Sequence, residues 1–207
     1  MEFTHPAEIL LENRIVVAFA VLLIIVGFFL GAKTSLKQEV VERAKENDVS
    51  DFQNIRLTAY QIWSNNAWIS LQASFGIVTP FQVAIFSVGV VYGALFSLMP
   101  LSSYLLILST FGALELLAVF LSVVSGLLFL KTFIQKLRRE PASIIETLAS
   151  SIILLFSSVV LLVPAAIIEA FLLYASAFNQ VMVTSVIVVG SFISLILFFV
   201  LFGRLRK

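Results

Sequence analysis

An all-α bundle of about six membrane helices is the fold class this sequence predicts, and three observations carry the prediction. Of its 207 residues 60% are hydrophobic and only 12% charged, against roughly 25% charged in an average soluble domain. With a mean hydropathy of +1.09 and 20 Phe, the chain has too little polar surface to cover a soluble core. The apolar residues also fall in runs. At about 20 apolar residues per span, the length holds six helices, short connections and one modest polar segment. The expected organisation is a short cytoplasmic segment, 1–14, followed by a single membrane domain, 15–207, which includes a polar helix near 33–64 outside the cytoplasm.

Composition also narrows the chemistry. With no Cys and one His, disulfides, thiol catalysis, iron–sulfur clusters and Cys/His zinc sites are excluded, so neither metal nor cofactor is expected. The net charge is +1 and the basic residues lie in small clusters, leaving no broad face for nucleic acid. His5 has no metal-binding company and is expected to be solvated.

Residues 1–14 carry Glu2, Glu8 and Glu12 against Arg14, with Pro6 placed to open a short amphipathic helix on Ile9 and Leu10. An acidic start makes a poor signal peptide, so the first span, 15–31, uncharged between Arg14 and Lys33, is expected to be retained. Residues 33–56 hold five basic and five acidic side chains, with Leu36, Val40, Val41 and Ala44 at helical spacing; this reads as a helix outside the bilayer. From 57 to 114 no residue is charged. Thr79-Pro80 and Met99-Pro100 divide that run into spans at 60–79 and 81–98, the first with Tyr60, Trp63 and Trp68 near its entrance, where amphipathic rings favour the interface. Residues 101–130 carry the single charge Glu115 and exceed one straight span, so this segment either tilts or is re-entrant in its first third. Lys131, Lys136, Arg138 and Arg139 close it. Residues 143–176 contain Glu146, Pro164 and Glu169, and 181–203 precedes Arg204, Arg206 and Lys207.

Positive residues are retained in the cytoplasm. The 131–139 cluster and the C-terminal tail therefore read as cytoplasmic, and six spans put the N-terminus on the same side. The 131–139 cluster is also expected to touch anionic headgroups.

An acid in the bilayer core costs about 3 kcal/mol on insertion scales, so it normally faces protein or water. Glu115, Ala118, Ser122 and Gly126 share one helical face, and Glu169 stands beside Ala165, Ala166 and Ala170, just after Pro164. Small residues mark close helix approach, so both acids are expected to point into the bundle and to share a polar site with Asn66 and Gln82. With no Lys or Arg inside any span, the pair should hold at least one proton at neutral pH. Such a pair can serve as a proton or cation site, or can simply fix helix packing. Gly89 and Gly93, Gly112, Ala118, Ser122 and Gly126 are expected to serve packing, as is the Asn66, Ser70, Ser74 row; Asn65-Asn66 suits a helix cap.

The order Asn65-Asn66, Gly76-Ile77-Val78-Thr79, Gly89, Gly93, Gly112-Ala113-Leu114-Glu115-Leu116 with Gly126, then Ala166-Ile167-Ile168-Glu169-Ala170, resembles the stage II sporulation protein M family of integral membrane proteins over about residues 10–207. In one departure, Thr110-Phe111 stand where family members often carry Pro-His. The resemblance implies a polytopic helical protein of the cell membrane. The sporulation member belongs to a membrane complex with cell-wall-degrading partners during engulfment, but relatives occur in organisms that do not sporulate.

Two functions follow. One is a non-enzymatic scaffold or assembly factor, a homodimer in contact with membrane lipids and with membrane or cell-envelope partners. The alternative is a small transporter or channel using the glutamate pair beside broken helices. An intramembrane hydrolase is weaker, because two lone carboxylates would have to do all the chemistry.

Overall fold

The computed structural model describes residues 5–33, 55–76, 78–176 and 180–202. The polar stretch 34–54 and the basic tail 203–207, both of which entered the topology argument, lie outside the described residues. Among those described, every regular element is helical.

Helix α1, Pro6–Glu12, opens with a capping box: the His5 side chain accepts from the Ala7 amide, and Glu8 accepts from the His5 amide. Helix α2, Arg14–Lys33, occupies the first apolar run. Helix α3, Ile55–Phe75, ends four residues before the expected boundary at Thr79. The break belongs to Gly76, because Thr79 donates its hydroxyl to the orphan Gln72 carbonyl at 2.6 Å and so turns the chain early. Helix α4, Thr79–Leu98, follows with Pro80 in its first turn. Helix α5 runs over Leu101–Leu137, α6 over Ile144–Ser176 and α7 over Gln180–Phe202.

Four of these helices are long and apolar enough to cross a membrane: α2, α4, α5 and the Ile144–Tyr174 part of α6. Helix α3 is diluted by Gln61, Asn65, Asn66 and Gln72, and the apolar stretch of α7, Val183–Leu197, is shorter. Residues 101–110 form the first turns of α5. Helix α5 is continuous, and its excess length is taken up in part by a π-helical turn at Leu108–Gly112. A second π-helical segment, Val83–Val90, lies inside α4.

Helix α5 is the centre of the bundle, since residues 121–128 are buried on every side and it packs against α2, α3, α4, α6 and α7. Helix α2 meets α4 through glycines: a Cβ on Gly89 would come within 2.6 Å of the Gly27 Cα, and one on Gly93 would strike the Phe28 carbonyl oxygen. The two backbones are in direct contact there, which no other residue type permits. At one end of the bundle α1 packs on α6, α7 and α2, with Ala7, Ile9 and Leu10 turned inward.

Candidate functional site

Four helices each bring one polar side chain to a common point inside the bundle. Helix α5 supplies Glu115, α6 Glu169, α3 Asn66 and α4 Tyr92. The Asn66 amide donates to Glu115 Oε1 at 2.6 Å. The Tyr92 hydroxyl stands 3.4 Å from Glu115 Oε2 and 3.2 Å from the Gly112 carbonyl, and its single proton can serve either acceptor. Glu169 lies close enough to Glu115 for the two carboxyls to act on each other electrostatically.

Local structure explains the convergence. Glu115 sits one turn after the π-helical Leu108–Gly112, and Tyr92 directly after the π-helical Val83–Val90. A π turn inserts one residue into the helical period and re-aims whatever follows it. The turn in α5 also leaves the Thr110 carbonyl free to accept from Ser194 of α7. On α6, Pro164 removes the N–H that would reach the Val160 carbonyl, and next to that gap the Trp63 indole donates to Val159 at 3.3 Å.

Beyond the acids, α3, α5 and α6 are joined by a ladder of hydroxyls. Ser122 donates to Ser158 at 2.8 Å, Ser158 to Ser70 at 3.2 Å, and Ser74 to the Ser122 carbonyl at 3.4 Å. Ser125 and Ser151 exchange hydroxyl-to-carbonyl bonds at 3.1 and 3.2 Å, and Thr132 meets Thr147 at 2.6 Å. Ala118 lies on the same buried face. A Cβ on Gly126 would strike the Ala73 carbonyl, and one on Gly112 would come within 3.3 Å of the Tyr92 hydroxyl.

A cavity of about 150 Å³ borders Glu115, lined by Asn66, Ser87, Tyr92 and apolar neighbours. That is room for several waters. Gln82 is not part of this group: it is exposed at the start of α4, and Asn65 is exposed on α3, inside the helix and not at its cap. Tyr92, Ser125, Thr132, Thr147, Ser151 and Ser158 are participants that the sequence did not single out. The signal available was position: Ser151, Ser158 and Glu169 fall 7 and 11 residues apart, near two and three whole turns, and so share one face of α6.

The stage II sporulation protein M family matches residues 16–173 of this chain. The chain belongs to that family. The matched span takes in both glutamates, Asn66, Tyr92 and the whole hydroxyl ladder, whereas α7 lies beyond it. No curated protein and no solved structure matches. In this family member the position before Gly112-x-x-Glu115 that the resemblance marked as a departure is built differently. Thr110 is fully buried, its hydroxyl donating to the Leu106 and Ile107 carbonyls at 3.1 and 3.0 Å.

Proposed function

We propose that this chain is a non-enzymatic integral membrane scaffold or assembly factor of a membrane complex. The observation that carries the reading is the interlocked polar core. Three helices are tied by the hydroxyl ladder and four by the Glu115 cluster, and among the described residues no buried side-chain nitrogen or oxygen lacks a partner. A fully satisfied network fixes one arrangement of helices, which suits a protein whose task is to hold others in place. The fuller picture is six spans in the cell membrane, both termini cytoplasmic, the 33–64 segment on the outer side, and a homodimer that engages membrane or cell-envelope proteins. Single cysteines and an impermeant label test the topology: residue 47 should react in intact cells and residue 135 should not, and the reverse pattern rejects it.

One observation favours a second reading, a small transporter or channel: the 150 Å³ cavity against Glu115. Glu115→Gln and Glu169→Gln separate the two. In a scaffold each variant purifies with unchanged oligomer size, because Gln can still donate and accept in the same place. In a transporter each variant folds but loses proton-linked flux in liposomes. Flux in the unmodified chain that disappears in both variants overturns the scaffold reading.

A further inference from the structure

A second polar site lies about 24 Å along α5 from the glutamates, from the 16-residue separation of Glu115 and Lys131. Here the corner between α1 and α2 meets the basic end of α5 around a hollow of about 630 Å³, lined by Leu11, Glu12, Asn13, Arg14, Ile15 and Lys131. Asn13 is the pivot of that corner. Its amide donates to the Ile9 carbonyl at 3.0 Å, and its side-chain oxygen accepts from the Lys131 ammonium at 3.0 Å. The Arg14 Nε donates to the Leu11 carbonyl at 3.1 Å, and the Arg14 side chain is exposed.

Both cations are thus held in place by neutral acceptors and not by carboxylates, and neither forms an ion pair among the described residues. Holding a cation by a carbonyl or an amide fixes its direction while keeping its charge unspent. The rest of the rim is apolar and uncovered: Ile15 is 86% exposed and Leu11 46%. The hollow therefore presents an anion-binding fork beside a surface that prefers hydrocarbon. Arg14 and Lys131 against Glu12 leave one net positive charge, which a singly charged phosphodiester balances and which a dianion would exceed.

We propose that this hollow is a headgroup site for an anionic phospholipid, with its phosphodiester between Arg14 and Lys131 and its acyl chains over Leu11 and Ile15. The site ties α1, α2 and α5 together at the bundle end, so occupancy stabilises the fold. It is independent of the Glu115 cluster and of the scaffold reading.

The test uses the full chain in neutral detergent, titrated separately with dioleoylphosphatidylglycerol, dioleoylphosphatidylcholine and inorganic phosphate. Melting temperature and the number of lipids retained in native mass spectrometry are read. Phosphatidylglycerol should raise the melting temperature and remain bound, whereas the other two should do neither. Arg14→Gln with Lys131→Gln should weaken the phosphatidylglycerol response about thirtyfold, about fivefold for each cation. Lys136→Gln with Arg138→Gln removes the same charge outside the hollow and should weaken it by less than twofold. If the first double variant does not purify, Lys131→Gln alone carries the fivefold test. Equal loss in the two double variants overturns the site in favour of diffuse attraction. An equal response to inorganic phosphate makes it a free-anion site, and an equal response to phosphatidylcholine makes it merely apolar; either result rejects the proposal.

Discussion

Asn66 and Glu115 are joined by a 2.6 Å hydrogen bond across 49 residues of sequence, and this bond locks α3 to the central helix of the bundle. The amide is a donor to an acid whose cavity is lined by no Lys or Arg. Replacing it tests how far the cluster depends on donors. Asn66→Ala should lower stability by about 1 kcal/mol, the scale of side-chain hydrogen bonds between membrane helices. Asn66→Asp keeps the size but turns the donor into a third carboxyl, so at pH 8 it should melt several degrees below Asn66→Ala. Thermal unfolding in detergent reads both, and equal melting temperatures would mean that the donor is incidental.

The sequence shows unequal parts of this site, for physical reasons. Glu115 and Glu169 stand out because a carboxyl in an apolar run is costly, and 3 and 4 spacing then assigns them to small-residue faces. Arg14 and Lys33 mark the ends of α2 for the same reason. Tyr92 stays hidden, since an aromatic ring in a membrane helix reads as interfacial or packing material until its hydroxyl is seen to reach Glu115. Serines such as Ser158 are equally mute: any of them can satisfy itself on its own helix, as Ser157 does on the Ile153 carbonyl at 2.8 Å. The π turns add only one residue to a period and leave no compositional trace. Gln82 illustrates the opposite error. Placing it with the two acids assumed an unbroken 3.6-residue period through what is in fact the π-helical Val83–Val90.

The glycine seam between α2 and α4 makes a prediction about degree. A methyl at Gly89 would meet Gly27 Cα at 2.6 Å and the Ile24 carbonyl oxygen at 2.7 Å, both of them backbone. A methyl at Gly190 would meet the Ile168 side chain, Cγ2 at 2.8 Å, and no backbone atom, so one side chain has to shift there and not a whole helix. Gly89→Ala should therefore cost about 1–3 kcal/mol as the helices are forced apart, and Gly190→Ala should cost less. Gly89→Ala melting as the unmodified chain does would show that the seam tolerates separation.

The last prediction concerns how α7 is held. This helix packs on α6 and on the π-helical turn of α5, and at that turn Ser194 donates to the Thr110 carbonyl. In a regular α-helix that carbonyl would accept from the amide four residues on; the π turn displaces that amide and leaves the oxygen for Ser194. The bond is thus made possible by the irregularity, and it is local to one helix pair. Ser194→Ala should accordingly loosen α7 without unfolding the remainder. The loss of about 1 kcal/mol for one interhelical hydrogen bond corresponds to about fivefold more frequent opening at 25 °C. Hydrogen exchange resolved by peptide would detect this over 183–197, with 121–128 in the bundle centre unchanged. Uniform acceleration across both segments would mean that α7 is integral to the core, and no acceleration at all would mean that its packing on α6, α5 and α1 holds the helix without this bond.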